Sequence, residues 1–253
     1  PDGYADLYRH APLPPDLQAM TGSAPEHWAG YCGMIKRLDE ALGRTMDHLK
    51  STGLDQNTVV VYISDHGCHF KTRNAEYKRS PHESSVRVPM AVWGPGWNGG
   101  GQRHEAVSLV DLMPTFLDCA GVDIPAEVEG RSMRPLLTPG ADWPEASYIQ
   151  FGDGFLPPGR AIRTRRWKYA VTASEEHTGT GTAPDYTETH LYDLQCDPYE
   201  LRNLVDLESH ADVRETLRAT LQERMQICNE PPATIHPAPT TRRAGQRRVE
   251  YPG

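Results

Sequence analysis

The stretch VVVYISDHGCHFKTRNAEYKRSPHESSVRVP, Val59 to Pro89, decides how the chain is read. It opens as an apolar, β-branched run and ends crowded with polar side chains. Asp65 and His66 stand side by side directly after the run, with Lys71, Arg73 and Lys78 close behind. A run without polar alternation predicts a strand covered on both faces, as in a parallel sheet flanked by helices. In open α/β sheets ligands bind at the carboxyl ends of strands, where loops converge and helix N-termini point. A carboxylate and an imidazole on adjacent residues can both reach one cation if a turn breaks the strand's alternation, and Gly67 makes that turn feasible. A plainer role fits the same pair, with Asp65 capping a turn and His66 satisfied in a loop. His69 and His82 are by default loop and partly buried histidines. Two ligands do not complete a metal site, since hard cations take roughly six or more oxygens and zinc about four donors.

Working outward, Ile35, Leu38, Leu42, Met46 and Leu49 recur at helical spacing and predict an amphipathic helix from about His27 to Leu49, with Gly53 as its C-terminal cap. VRVPMAVW, Val86 to Trp93, predicts a second strand, ended by the loop GPGWNGGG. AVSLVDLMPTFLDCAGVDIP predicts a short strand and a helix near Asp111 to Ala120, with Asp111 as its N-cap and Gly121 as its stop. Strand, helix, strand, helix is the rhythm of a doubly wound layer. From about Ala146 the texture changes to short strands, ASYIQF, GRAIRT, RWKYAVT and THLYDL, and then a helix with the stripe Val213, Leu217, Leu221 and Met225. The expected fold class is α/β: part of a doubly wound mixed sheet sandwiched by helices over 1–140, a small α+β domain of about four antiparallel strands plus a C-terminal helix over 141–230, and an irregular tail over 231–253.

Composition narrows the function. The 253 residues carry a formal net charge of −8, which does not suit a nucleic-acid partner. The basic run TTRRAGQRR, Thr240 to Arg248, lies in a Pro-rich tail and reads as a solvated end or a subunit-contacting arm. No apolar stretch approaches the ~20 residues of a membrane span. The five cysteines, Cys32, Cys68, Cys119, Cys196 and Cys228, are scattered without zinc-type pairing, and their odd number rules out complete intrachain pairing. There is no G-x-S-x-G elbow, no G-x-G-x-x-G and no Walker loop. The chain opens PDGYADLYRH, without Met, and is expected to be a fragment or processed piece.

Several segments, in order, carry a more specific likeness: YCGMIKRLDEALGRTMDHLKSTGLDQNTVVVYISDHG, ESSVRVPMAVWGPG, VSLVDLMPTFLDCAGVDIP, EGRSMRPLL, RAIRTRRWKYAV and LYDLQCDPYELRNLV. Together, over roughly Tyr31 to Val205, they resemble the later part of type I, formylglycine-dependent sulfatases of the alkaline phosphatase superfamily. The resemblance implies that Asp65 and His66 are two ligands of a single divalent cation, usually calcium. It also implies that Lys78, thirteen residues after Asp65 and five before Glu83, contacts the sulfate group. It implies a sulfuric ester hydrolase acting on a sulfated small molecule or carbohydrate, and a periplasmic, secreted or lysosomal setting. Where the family often has G-E-H-G this chain has Lys71, Thr72, Arg73 and Asn74, so His69, Lys71 and Arg73 become candidate contacts for an anionic substrate. The family's C/S-x-P-S/A-R motif, source of the formylglycine, does not occur: CDPYE at Cys196 has the proline but lacks the arginine. The formylglycine and the remaining metal ligands are therefore expected in a missing N-terminal half, and the fragment alone is expected to be inactive. The rivals are a phosphomonoester, phosphodiester or phosphonate hydrolase of the same superfamily and a non-catalytic relative.

Overall fold

The computed structural model describes residues 3–152, 154–241 and 248–251. The fold is mixed α/β, and the chain forms two compact units, residues 1–78 with 84–102 and residues 79–83 with 103–253.

In the first unit a short helix, α1 (Pro15–Ala19), precedes the long helix α2 (Ala24–Thr52). Proline in the first turn of α2 costs nothing, because its missing N–H would be unpaired there anyway. The helix stops at Gly53, whose left-handed backbone (φ 72°) lets its N–H reach the carbonyls of Leu49 and Lys50, the cap expected from sequence. Of the helix's apolar stripe, Ile35 and Leu38 remain 42% and 50% exposed. The apolar run forms β1 (Val60–Ile63), all four of its residues half-buried, so the missing alternation reports real cover on both faces. Its partner β2 (Met90–Trp93) runs antiparallel, with Val61 opposite Val92 and Tyr62 opposite Ala91, and not parallel as the run suggested. The strand expected from Val86 starts only at Met90, and Glu83–Val86 makes a helical turn, α3. Pro89 has no N–H for a ladder, which explains the late start.

The second unit contains α4 (Leu112–Cys119), β3 (Ala146–Phe151), β4 (Gly159–Thr164), β5 (Trp167–Thr172), β6 (Asp185–Asp193), α5 (Ala211–Ile227) and β7 (Thr234–His236). The strands form one sheet in the order β3-β4-β5-β6-β7. The first four are antiparallel, as expected, while β7 pairs parallel to β6 and makes the sheet mixed. That fifth strand lies within 231–253, which was read as irregular; three residues following two prolines leave little pattern to recognise. Val213, Leu217 and Leu221 on α5 are fully buried among Ile162, Trp167, Tyr169 and Leu191. Each such side chain contributes about 1.5–3 kcal/mol by leaving water. Of the basic tail, residues 242–247 lie outside the described residues, and the Arg248 guanidinium pairs with Asp212. No helix among the described residues is long and apolar enough to cross a membrane.

By its contacts the segment 103–140 groups with this sheet. The carbonyl of Ala106 accepts bonds from Trp143 Nε1 (3.1 Å) and Ser147 Oγ (3.0 Å), which tie the segment to β3. No strand forms ahead of α4: Leu109–Asp111 is a 3-10 turn capped by Ser108. Asp111 acts from the reciprocal position, its Oδ2 accepting the Ser108 N–H at 2.8 Å and its Oδ1 the Arg131 N–H at 3.0 Å.

The segment LYDLQCDPYELRNLV leaves the end of β6 and enters a turn built from side-chain acceptors. Asp193 accepts Arg166 Nη2 at 2.7 Å and the Gln195 N–H at 3.1 Å, Asp197 accepts the N–H groups of Leu201 and Arg202, and Asn203 Oδ1 accepts those of Leu191 and Val205. Burial alone would raise the Asp193 pKa, but Arg166 and the turn amides hold it below the usual carboxylate range. A depressed folded pKa contributes stability that is complete above the unfolded value, 3.8, and is lost as pH falls through the folded value. Asp193→Asn is therefore expected to cost about 1.5–3 kcal/mol near neutral pH. It should also flatten the loss of stability below pH 3.8, which urea denaturation across that range will show.

Candidate active site

Beyond Ile63 the chain leaves β1 through Ser64, whose hydroxyl donates to the His66 carbonyl at 2.9 Å, and Asp65 Oδ1 accepts the His66 N–H at 2.9 Å. This turn sets the two side chains on one side. Asp65 Oδ2 and His66 Nε2 stand 3.4 Å apart, and the Asp65 side chain is 82% exposed. His66 Nδ1 lies 2.8 Å from the Gly67 carbonyl and Nε2 lies 2.9 Å from Lys78 Nζ. A carbonyl only accepts, so Nδ1 carries the proton and the Nε2 lone pair accepts from the ammonium. Asp65, His66 and Lys78 thus form one cluster. Burial would push the Asp65 pKa up, but the His66 N–H and the Lys78 ammonium keep it below the ordinary carboxylate range.

Gly67 allows the turn for a different reason from the one the sequence suggested. It is not among the positive-φ glycines. A Cβ there would stand 2.2 Å from the Ser84 carbonyl oxygen, and its N–H donates to the Ser85 carbonyl at 2.8 Å. Close backbone approach is what excludes a side chain.

The candidate substrate contacts divide. His69 has no exposed surface, and its Nε2 bonds to the Lys78 carbonyl at 3.1 Å. Burial pushes its pKa down. Lys71 is exposed, with φ 61°, and makes no hydrogen bond or ion pair among the described residues. Arg73 is half-buried on the same loop. His82 is buried between Ser80 Oγ (3.2 Å) and the Tyr192 hydroxyl (3.1 Å), a packing role. Sequence reasoning passed over Asn74, whose Nδ2 donates to the Lys78 carbonyl at 3.1 Å.

Among the described residues no group of three or more His, Cys, Asp or Glu is placed to hold a metal ion. Asp65 and His66 fit such an ion as a partial donor set: an exposed carboxylate beside an imidazole whose Nδ1–H bonds a carbonyl, the arrangement that orients a ligating histidine.

The family model for sulfatases matches residues 7–122, and the model described as N-sulphoglucosamine sulphohydrolase, C-terminal, matches residues 75–227. Among curated proteins the chain is 29% identical over 208 residues to an N-acetylglucosamine-6-O-sulfatase of Bacteroides thetaiotaomicron, covering 78% of this chain and 35% of that protein. It is 33% identical over 186 residues to arylsulfatase K of Canis lupus familiaris, covering 70% of this chain and 33% of that protein. The chain therefore spans about a third of the length of these relatives. A solved Bacteroides thetaiotaomicron protein, described in terms of glycosaminoglycan metabolism, aligns with TM-score 0.76 and 26% identity over 90% of this chain and 50% of that one. A protein solved with its substrate D-glucosamine-2-N,6-O-disulfate aligns with TM-score 0.66 and 25% identity, over 84% of this chain and 44% of that one. A phosphonate monoester hydrolase of Silicibacter pomeroyi aligns with TM-score 0.65 and 27% identity, over 78% of this chain and 40% of that one. With a family match running over more than half its length and this fold behind it, the chain belongs to the sulfatase family, within the alkaline phosphatase superfamily.

Proposed function

We propose that Asp65, His66 and Lys78 serve the hydrolysis of a sulfate ester on a sulfated carbohydrate. The observation that carries this is the ammonium of Lys78 held 2.9 Å from His66 Nε2, at the end of a strand, beside an exposed carboxylate. A sulfate ester breaks at an S–O bond, and charge grows on the oxygens as it does. An ammonium fixed there stabilises that charge without reorganising. Asp65 and His66 would hold a divalent cation, which supplies Lewis acidity when bound. His66, with its proton on Nδ1, has one lone pair at Nε2; it accepts from Lys78 here, and yielding it to the cation would free the ammonium for the sulfate. The nucleophile, by resemblance a formylglycine, is not supplied by any C/S-x-P-S/A-R motif in these 253 residues. The glucosamine sulfates named for two relatives support an amino-sugar sulfate as substrate.

The test is sulfate release from an N-acetylglucosamine 6-sulfate by the protein as its gene encodes it, set against hydrolysis of a phosphonate monoester. Faster sulfate release is expected. Preference for the phosphonate would overturn the proposal in favour of the chemistry named for the Silicibacter pomeroyi protein. The 253-residue chain by itself is expected to give no turnover of either.

A further inference from the structure

A lysine holds its charge at the end of a flexible stem, so a fixed ammonium needs a fixed backbone beneath it. The loop ending at Lys78 is closed on itself. The His69 N–H donates to the Tyr77 carbonyl at 2.9 Å, while the N–H and hydroxyl of Thr72 both donate to the His69 carbonyl, at 2.9 and 2.7 Å. Phe70 pins it to the start of α2: its carbonyl accepts the Ser23 N–H at 2.8 Å, and its ring stands edge-on to Trp28 and Tyr31, centroids 5.8 and 5.3 Å away. The Lys78 carbonyl then accepts two side chains, His69 Nε2 and Asn74 Nδ2, each at 3.1 Å. Asn74 is itself oriented by the Glu76 N–H, 2.8 Å from its Oδ1.

His69 carries this furthest. Its Nε2 faces a carbonyl, so the proton is there and Nδ1 bears a lone pair. That Nδ1 is buried without a hydrogen-bond partner among the described residues. Leaving a buried acceptor unsatisfied is unfavourable, and an apolar ring would fill the space without that penalty. What the imidazole supplies that an apolar ring cannot is the N–H to Lys78. We infer that His69 and Asn74 are positioning residues, which saturate the Lys78 carbonyl and so hold its ammonium at the site. This inference rests on Lys78 as the sulfate contact.

The test compares His69→Leu, His69→Gln, Asn74→Ala and Lys78→Met in the protein as its gene encodes it, reading kcat, KM and Tm on an aryl sulfate. Gln can return an N–H donor toward the carbonyl; Leu cannot. The Leu variant is expected to lose about 10–100-fold in kcat, the scale of a small misplacement of a catalytic group, with KM and Tm little changed. The Gln variant should recover most of it, and Asn74→Ala should fall between. A folded Leu variant with wild-type kcat overturns the inference, as does a Gln variant that folds but fails to recover. Should Leu not fold, wild-type kcat in Asn74→Ala overturns it. If Lys78→Met keeps full activity, the assignment of Lys78 as sulfate contact falls, and the inference with it; if only Lys78→Met loses activity, the positioning inference alone is wrong.

Discussion

Lys168→Met is expected to destabilise the sheet unit by about 3–5 kcal/mol, the cost of removing one partner from a buried ion pair. Lys168, in β5, has no exposed surface, and its Nζ lies 2.5 Å from Glu83 Oε1 and 3.2 Å from Glu200 Oε1. Arg163 Nη2 adds a contact to Glu83 Oε2 at 3.3 Å, and the Glu83 N–H donates to Glu200 Oε2 at 2.7 Å. Burial works against ionising either carboxylate. At Glu83 the charges of Lys168 and Arg163 win and its pKa falls; at Glu200 burial wins and its pKa rises. Methionine would leave both acids facing an apolar stem. Urea denaturation, with amide exchange in β4 and β5 as the local probe, measures the loss. Adding Glu83→Gln and Glu200→Gln to Lys168→Met should recover much of it, because the penalty is unpaired charge. A triple variant as unstable as the single one would assign the cost to lost packing.

Lys78→Met, in contrast, is expected to leave folding intact and to lower kcat by about 10²–10³-fold, the scale of deleting one preorganised donor to a developing oxyanion. Lys78 is half-buried and, among the described residues, its ammonium contacts groups at the site, His66 Nε2 and the face of the Tyr77 ring at 5.5 Å. Replacing a group in such a position changes stability by about 0.5 kcal/mol or less. Lys78→Arg should not restore the rate, since a planar guanidinium cannot occupy the place of a compact ammonium. Sulfate release at saturating substrate is the measurement. A Met variant with wild-type kcat would remove Lys78 from the chemistry.

Much of this molecule can be read from its residues, and the parts that cannot share a cause. Helix α2 and its Gly53 cap, the strands β3 to β6 and the stripe on α5 follow from periodicity and turn residues, which act locally. The direction of β2 against β1 did not follow, because a continuous apolar run reports burial and says nothing of which partner supplies it. β7 escaped because only Ile235 of its three residues is buried. At the site, the adjacency of Asp65 and His66 pointed to shared chemistry, whereas Lys78 was legible only through resemblance. The hold of His69 and Asn74 on Lys78 was invisible, since both aim at a backbone carbonyl, and every residue carries one. The cluster of Glu83, Lys168 and Glu200 was equally hidden, its members lying 85 and 117 positions apart along the chain.

The capture of residues 79–83 by the sheet unit has a practical side for anyone cutting the protein into pieces. A segment expressed from Arg103 onward would contain every strand of the five-stranded sheet and would look, on a topology diagram, like a complete domain. It would lack Glu83, leaving Lys168 to share the interior with Glu200 alone and Arg163 without its carboxylate. The shorter piece that behaves like the parent must carry those five residues back, spliced ahead of Arg103 or supplied as a peptide. Sequence contiguity is the wrong ruler for where this unit begins.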